Sequence, residues 1–129
     1  IYVYVTMNGV KWLNPDDWLT EEVCDWFGLE CGFIDEVHKF SMPENGLSGT
    51  LPTYLGFLDS MRVMDLSDNE DITGPLPSEM GKMESLRSLV MPDLSLTGTI
   101  PTEFGEFVGS TTLTRVTFLY VTLCCLRNQ

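Results

Sequence analysis

The sequence predicts an α/β solenoid, a stack of similar coils in which short parallel strands line one face. The hexamer LSGTLP at residues 47–52 is nearly repeated as ITGPLP at 72–77 and LTGTIP at 96–101, and its glycines are 25 and 24 residues apart. Each hexamer ends a set of apolar residues with the spacing L-x-x-L-x-L. Because one coil cannot bury its own apolar stripe, the coils must stack and share a core.

The apolar sets define the strand of each coil. The last two leucine positions of L-x-x-L-x-L are separated by one residue. We therefore expect both to face the core and the residue between them to face solvent. We predict that Phe40, Met64 and Leu89 lie one above the next, and that methionine fills core positions in place of leucine. The sets are Ile34, Val37, Phe40, Met42 and Leu47; Leu58, Met61, Met64, Leu66 and Ile72; and Met83, Leu86, Leu89, Met91 and Leu96.

A turn follows each strand. Asn45 and Asn69 lie three residues after the strand pair, where a buried amide can bind backbone groups that the turn leaves unpaired. The glycine of each hexamer permits a tight backbone, and the proline excludes a regular helix. We therefore expect the return leg of each coil to be extended or 3₁₀-helical.

Two of the four cysteines lie close together before the repeats. Cys24 and Cys31 are separated by six residues, so they can close a small disulfide loop in an oxidising compartment or remain as reduced core cysteines. His38 is the only histidine, and with two cysteines it does not complete a zinc site. We expect no metal here.

The repeats resemble the plant-type leucine-rich repeat, L-x-x-L-x-L-x-x-N-x-L-x-G-x-I-P, over about residues 34–107. The preceding NGVKW, DDWL and VCDWFGLEC resemble the N-terminal cap of that family. The resemblance implies a right-handed superhelix with its strands on the concave face and a helical N-terminal cap. In that cap Trp12, Trp18 and Trp26 would cover the open end of the core, and Cys24 and Cys31 would be bridged.

The pattern divides the chain into a cap at residues 1–33, three good repeats at 34–107, and a degraded fourth repeat with a tail at 108–129. Leu94 replaces the third asparagine, so the series of buried amides should stop after two members. In the fourth repeat Val116 takes the place of Leu89 only if residues are inserted near Gly109. An uncapped apolar end there would favour dimerisation or aggregation.

Charge and composition exclude several classes of function. The chain has 19 acidic and 7 scattered basic residues, a net charge of -12, so we expect no nucleic-acid partner. It has no run of about 18 apolar residues, so we expect no membrane span. No nucleophile motif accompanies His38, the glycines keep the repeat spacing, and no carboxylate pair is singled out. We therefore predict neither enzymatic activity nor a cofactor.

Charged residues recur at equivalent positions beside the predicted strands. A basic column contains His38, Arg62 and Arg87 followed by Thr114, and an acidic column six residues further along contains Glu44, Asp68 and Asp93 followed by Tyr120. Such a face could orient a polar peptide or a charged protein surface. The alternative is that these are solvated charges without a partner. A cation could also bridge the carboxylates, although the dense oxygen pattern of a calcium loop is missing.

The resemblance implies a recognition function. We expect a module that binds a protein, peptide or glycan on its concave face, within a secreted or membrane-anchored receptor-like protein at the cell surface. One alternative is a secreted inhibitor of a cell-wall-degrading enzyme, and another is a structural spacer or self-assembly unit. Fold membership alone does not choose among ligands.

Overall fold

The computed structural model describes residues 2–105 together with 115 and 116. In this part the chain begins with one α-helix, α1 (Tyr2–Thr6), and continues with short 3₁₀ helices and strands. The 3₁₀ helices are Gly9–Lys11, Val23–Asp25, Thr53–Phe57, Ser78–Lys82 and Thr102–Phe104. The strands are β1 (Leu29–Cys31), β2 (Val37–Ser41), β3 (Gly49–Thr50), β4 (Val63–Asp65), β5 (Ile72–Pro75), β6 (Ser88–Val90), β7 (Ser95–Thr97) and β8 (Arg115–Val116).

The first sheet has the order β1-β2-β4-β6-β8. Strand β1 is antiparallel to β2, and the other neighbours are parallel. Phe40 pairs with Met64, which pairs with Leu89, so the predicted register is confirmed. Leu89 also pairs with Val116, which confirms the alignment of the degraded fourth repeat.

The hexamers form a second sheet with the order β3-β5-β7, all parallel. The return legs are therefore extended and then 3₁₀-helical, as expected, but their pairing into a sheet was not predicted. The register of this sheet is offset by two residues from the sequence repeat. Gly49 pairs with Ile72 instead of Gly74, and Gly74 pairs with Leu96 instead of Gly98. Strands that are offset by two residues still pair, because the N–H and C=O groups of an extended chain point to the same side at every second residue.

The core lies between the two sheets and the 3₁₀ helices, and one cluster of buried residues extends through the coils. Six methionines of the repeats are at most 2% exposed, which confirms their role as core residues; they are Met42, Met61, Met64, Met80, Met83 and Met91. The solenoid stack follows from these contacts. Its right-handed sense stays a prediction.

The assignment of Ile34 to the core is wrong, because its side chain is 76% exposed. Strand β1 returns antiparallel to β2, and the tight turn between them is closed by a hydrogen bond from Gly32 N–H to Glu36 C=O of 2.9 Å. Ile34 lies in this turn and points outwards. The first coil thus lacks the apolar residue that Met83 supplies in the third coil.

Two buried asparagines join consecutive coils. Asn69 Oδ1 accepts hydrogen bonds from the backbone N–H groups of Asn45 and Leu47, at 3.1 and 2.9 Å. Its Nδ2 lies within 3.0 Å of three carbonyl oxygens, those of Met42, Leu66 and Ser67. The predicted satisfaction of turn groups by buried amides is therefore confirmed.

Asn45 repeats this arrangement one coil earlier. Its Oδ1 accepts from Asn14 N–H at 2.7 Å, and its Nδ2 donates to Asn14 C=O at 3.3 Å. The third coil has the buried Leu94 at the equivalent position, as expected. The amide series thus runs from the second repeat back to the segment that precedes the repeats.

The three tryptophans pack in sequence against the first coil. Their indoles are at most 8% exposed, with ring centroids 4.7 Å apart for Trp12 and Trp18 and 4.8 Å for Trp18 and Trp26. Trp18 lies 6.3 Å from Phe40 of the first sheet. Each indole N–H has an oxygen acceptor, on Met7, Phe27 and Thr20 respectively. The rings therefore cover the core without leaving a buried donor unpaired.

The disulfide between Cys24 and Cys31 is present, as the resemblance implied. It links the 3₁₀ helix Val23–Asp25 to β1. Within residues 2–105, 115 and 116, no helix has the length and apolar character needed to cross a bilayer. The expected apolar C-terminal end, the remaining two cysteines (Cys124 and Cys125) and the division at residue 108 lie outside the described residues.

Replacing Asn69 tests the role of the buried amide. Asn69→Ala leaves the N–H groups of Asn45 and Leu47 and three carbonyls without their partner, so we expect a loss of about 3 kcal/mol in the free energy of unfolding. The measurement is urea denaturation with an unchanged m-value. Asn14→Ala is the control, because Asn45 binds only the backbone of Asn14. Equal losses for the two variants would contradict this assignment.

Gly56 tests the close stacking of the 3₁₀ helices. A Cβ atom on Gly56 would lie 2.4 Å from the backbone carbon of Glu79 in the next coil, whereas one on Gly105 would meet none of the described residues within 4 Å. We expect Gly56→Ala to lower the melting temperature by several degrees, because backbone atoms must move apart. Gly105→Ala should leave it unchanged or slightly higher. Calorimetry on both variants measures the difference, and similar melting temperatures would refute close stacking.

Candidate functional site

The outer face of the first sheet carries two columns of side chains. Alternation along each strand buries Phe40, Met64 and Leu89 and turns the residues on either side of them outwards. One column is Lys39, Val63 and Ser88, and the other is Ser41, Asp65 and Val90, each in register across β2, β4 and β6. All six residues are half-buried. The second column is the outward position that the L-x-L pattern predicted.

The predicted basic residues lie in one row at the start of these strands. Arg62 N–H donates to His38 C=O at 2.7 Å, and Arg87 N–H donates to Arg62 C=O at 2.8 Å. His38 is half-buried within β2, and the two arginines are exposed directly before β4 and β6. The structure therefore brings these three residues together. Thr114 lies outside the described residues.

The predicted acidic residues lie in a second row, in the turns after the strands. Glu44 N–H donates to Ser67 C=O at 2.9 Å, and Asp68 N–H donates to Pro92 C=O at 3.2 Å. Glu44, Asp68 and Asp93 are exposed and have left-handed φ values of 49°, 57° and 57°. Aspartate is enriched in this conformation, so the turn itself accounts for part of the acidic pattern. Tyr120 lies outside the described residues.

The acidic row does not form a metal site in the described part of the chain. No three His, Cys, Asp or Glu side chains converge there in an arrangement that could hold an ion. Asp65, on the neighbouring column, instead accepts hydrogen bonds from Ser67 N–H and Oγ, at 3.0 and 2.7 Å. The carboxylate of Asp65 thus has a local role in the turn after β4.

A groove of about 560 Å³ lies at the start of the first sheet, between the β1–β2 turn and the first two repeats. We call it the turn groove; its lining is Cys31, Gly32, Phe33, Ile34, Glu36, His38, Ser60 and Arg62. The sequence singled out three of these residues: His38 and Arg62 as parts of the basic row, and Cys31 as a cysteine of the cap. The sequence analysis did not single out Phe33, and it assigned Ile34 to the core. The repeat pattern needs one apolar residue at this point, and the presence of two adjacent ones was the only indication that one of them is exposed.

An ion pair lies next to the turn groove on the same sheet. Lys39 and Glu30 face each other across β2 and β1, with Nζ and Oε1 2.5 Å apart. The hydrogen bond from Lys39 holds the pKa of Glu30 below its ordinary value; desolvation opposes this shift, and the charges of Lys39 and His38 add to it. The cationic head of Lys39 is therefore already engaged at this edge of the face.

Comparison with known proteins finds that the chain is similar to parts of plant receptors. No family model matches the chain. It is 32% identical over 98 residues to phytosulfokine receptor 1 of Arabidopsis thaliana, in an alignment covering 71% of this chain and 10% of that receptor. The chain thus spans about a tenth of that relative's length.

Solved structures agree with this relationship. The LRR ectodomain of the membrane receptor kinase GASSHO1/SCHENGEN3 from Arabidopsis thaliana, in complex with CASPARIAN STRIP INTEGRITY FACTOR 2, superimposes with a TM-score of 0.67 and 27% identity, over 85% of this chain and 14% of that one. A plant ice-binding protein superimposes with a TM-score of 0.74 over 87% of this chain and 36% of that one. Its 22% identity indicates a shared fold.

The Glu30 pair gives a prediction for pH. Because the fold lowers the pKa of Glu30 below 4.5, the ion pair contributes fully above that pH and its contribution is lost as the pH falls through the folded-state pKa. We expect Lys39→Met to raise the pKa of Glu30 towards 4.5, as measured by NMR titration of its carboxyl carbon. Lys11→Met is the control and should leave that pKa unchanged. If neither substitution changes the pKa of Glu30, the ion pair between Lys39 and Glu30 is excluded.

Proposed function

We propose, on the premise that this chain is a leucine-rich-repeat domain of the plant receptor-like type, that it binds a peptide segment of a partner on the outer face of its first sheet. The ligand would lie along the columns that start at Lys39 and Ser41, between the basic and acidic rows. The observation that carries the proposal is the register that aligns His38, Arg62 and Arg87 beside an open, half-polar strand face.

The charge of the chain supports a role for the basic row. In a chain with 19 acidic and 7 basic residues, Arg62 and Arg87 in consecutive coils form a local positive edge beside His38. Such an edge orients an acidic or polar segment and raises its rate of association. The acidic row on the other side would exclude a ligand bound in the opposite orientation. Recognition of this kind needs no catalytic step.

The relatives support the class of ligand. The ectodomain of GASSHO1/SCHENGEN3 was solved with a bound factor, and phytosulfokine receptor 1 is a receptor by name. We favour a peptide or protein over a glycan, because the open face has aliphatic Val63 and Val90 and exposed arginines but no exposed aromatic side chain in its two columns. An inhibitor of a cell-wall-degrading enzyme would use the same face.

The proposal also includes the cellular location of the domain and the handedness of its coil. We infer an extracellular or cell-surface domain of a membrane-anchored protein, supported by the Cys24–Cys31 disulfide and by the receptor relatives. The coil would be right-handed with the strands on its concave side. Residues 1–33 would act as the cap and 34–107 as the repeats, and dimerisation would depend on residues 108–129.

Charge reversal of the basic row tests the proposed function. The probes are linear peptides selected from a random phage-displayed library against the folded chain. We expect the double substitution Arg62→Glu and Arg87→Glu to weaken their binding at least tenfold, because the positive edge becomes negative. Fluorescence anisotropy measures the dissociation constants.

The matched control is the double substitution Lys11→Glu and Lys82→Glu. It changes the net charge equally, at two exposed lysines on 3₁₀ helices away from the strand face. We expect less than a twofold effect. Equal losses for the two double variants would mean that only net charge matters, and would reduce the face to solvated surface.

A further inference from the structure

We propose that the turn groove is a subsite for one apolar side chain of the ligand together with the carboxylate of a neighbouring Asp or Glu. This inference rests on the proposed function and adds a specific recognition element to it. It would make the segment before the repeats a part of the binding surface. Three features of the groove support it: its apolar wall, its fixed turn and its arginine.

The apolar wall consists of Phe33 and Ile34. Phe33 is fully exposed at 110%, and Ile34 is 76% exposed, although the repeat pattern assigns an apolar residue of this stretch to the core. Two adjacent large apolar side chains on the surface lose the stabilisation that burial would give them. A partner's side chain that covers them would recover part of it.

The turn that carries these side chains is fixed on every side. Gly32 N–H donates to Glu36 C=O, and Cys31 is bonded to Cys24. The carboxylate of Glu36 accepts a hydrogen bond from the Ser60 hydroxyl in the next coil. The backbone that carries the apolar wall is therefore preorganised, which lowers the entropy cost of binding.

Arg62 supplies the positive charge on the opposite wall. Its side chain is exposed. Within the described residues Lys39 and Glu30 form an ion pair, and Arg62 forms none. Glu36, the acidic residue among those that line the groove, accepts a hydrogen bond from the Ser60 hydroxyl and forms no ion pair with Arg62. An exposed guanidinium without an ion pair can bind a carboxylate through two parallel hydrogen bonds, because the two planar groups match in geometry.

The dimensions and surroundings of the groove determine the occupant. A volume of about 560 Å³ falls within the range of binding pockets, roughly 300 to 1,000 Å³, and holds two neighbouring side chains. Since His38 and Arg62 belong to the basic row at the start of the strands, the groove adjoins the surface along which the proposed ligand continues. We therefore assign the anion to an Asp or Glu side chain within the peptide rather than to a chain end.

The test uses three short peptides with acetylated and amidated ends, which contain Phe-Asp, Phe-Asn or Ala-Asp between glycine and serine residues. Titration is followed by NMR of the isotopically labelled chain, which detects millimolar binding. We expect the Phe-Asp peptide to shift the amide signals of Gly32, Phe33 and Arg62, and to bind at least fivefold more tightly than the other two.

Substitutions separate the two parts of the subsite. Phe33→Ser with Ile34→Ser should weaken the Phe-Asp peptide at least fivefold, and Arg62→Gln should abolish its preference over Phe-Asn. The controls are Phe57→Ser, at an aromatic residue 67% exposed outside the groove, and Lys82→Gln; both should leave binding unchanged. The melting temperature of each variant checks that it folds.

Several results would overturn the subsite: no shifts in the groove at millimolar peptide, equal effects of the control variants, or binding only of a peptide with a free C-terminus. If library peptides shift Lys39 and Val63 and depend on Arg87 but ignore Phe33→Ser with Ile34→Ser, the subsite is wrong and the proposed function stands. If no peptide binds anywhere on the face, both fail.

Discussion

Each coil of this chain leaves an apolar edge that only the next coil can bury, and the remaining structure depends on that constraint. Phe40, Met64 and Leu89 lie in register because a shift of one residue would turn every core side chain to solvent. Asn45 and Asn69 reinforce the same register, since each amide bonds to backbone groups of the preceding segment. Apolar burial and buried polar pairing therefore require one arrangement, which makes the stack specific as well as stable.

A stack of coils needs a cover at its ends. At the N-terminal end, indole rings serve this purpose because each has a large apolar surface and one N–H that must find an acceptor. Trp12 donates to Met7, Trp18 to Phe27 and Trp26 to Thr20, so the rings are buried and fixed at once. The disulfide and the antiparallel β1 connect this cover to the first repeat. The connection also creates the turn that carries Phe33 and Ile34.

The charged rows of the strand face differ in their origin. Asp68 and Asp93 occupy left-handed turn positions, which favour aspartate whatever the ligand. Arg62 has no such backbone requirement, because it precedes a regular strand. A basic residue that the fold does not demand is stronger support for recognition than an acidic one that the turn selects. For this reason the proposed function and the subsite both depend on the basic side of the face.

The sequence by itself determined the stacking, the register of the first sheet, the two buried asparagines and the alignment of the basic and acidic rows. These features are periodic, and a repeated spacing in the chain becomes a column in space. Only the tertiary structure decided the features where the period is broken. The hexamers pair two residues out of step, because extended backbone can form a ladder in more than one register. Ile34 leaves the core, because an antiparallel partner meets the first repeat there instead of another coil. The turn groove lies at that junction. The local sequence does not specify that β2 pairs with the antiparallel β1 on this side.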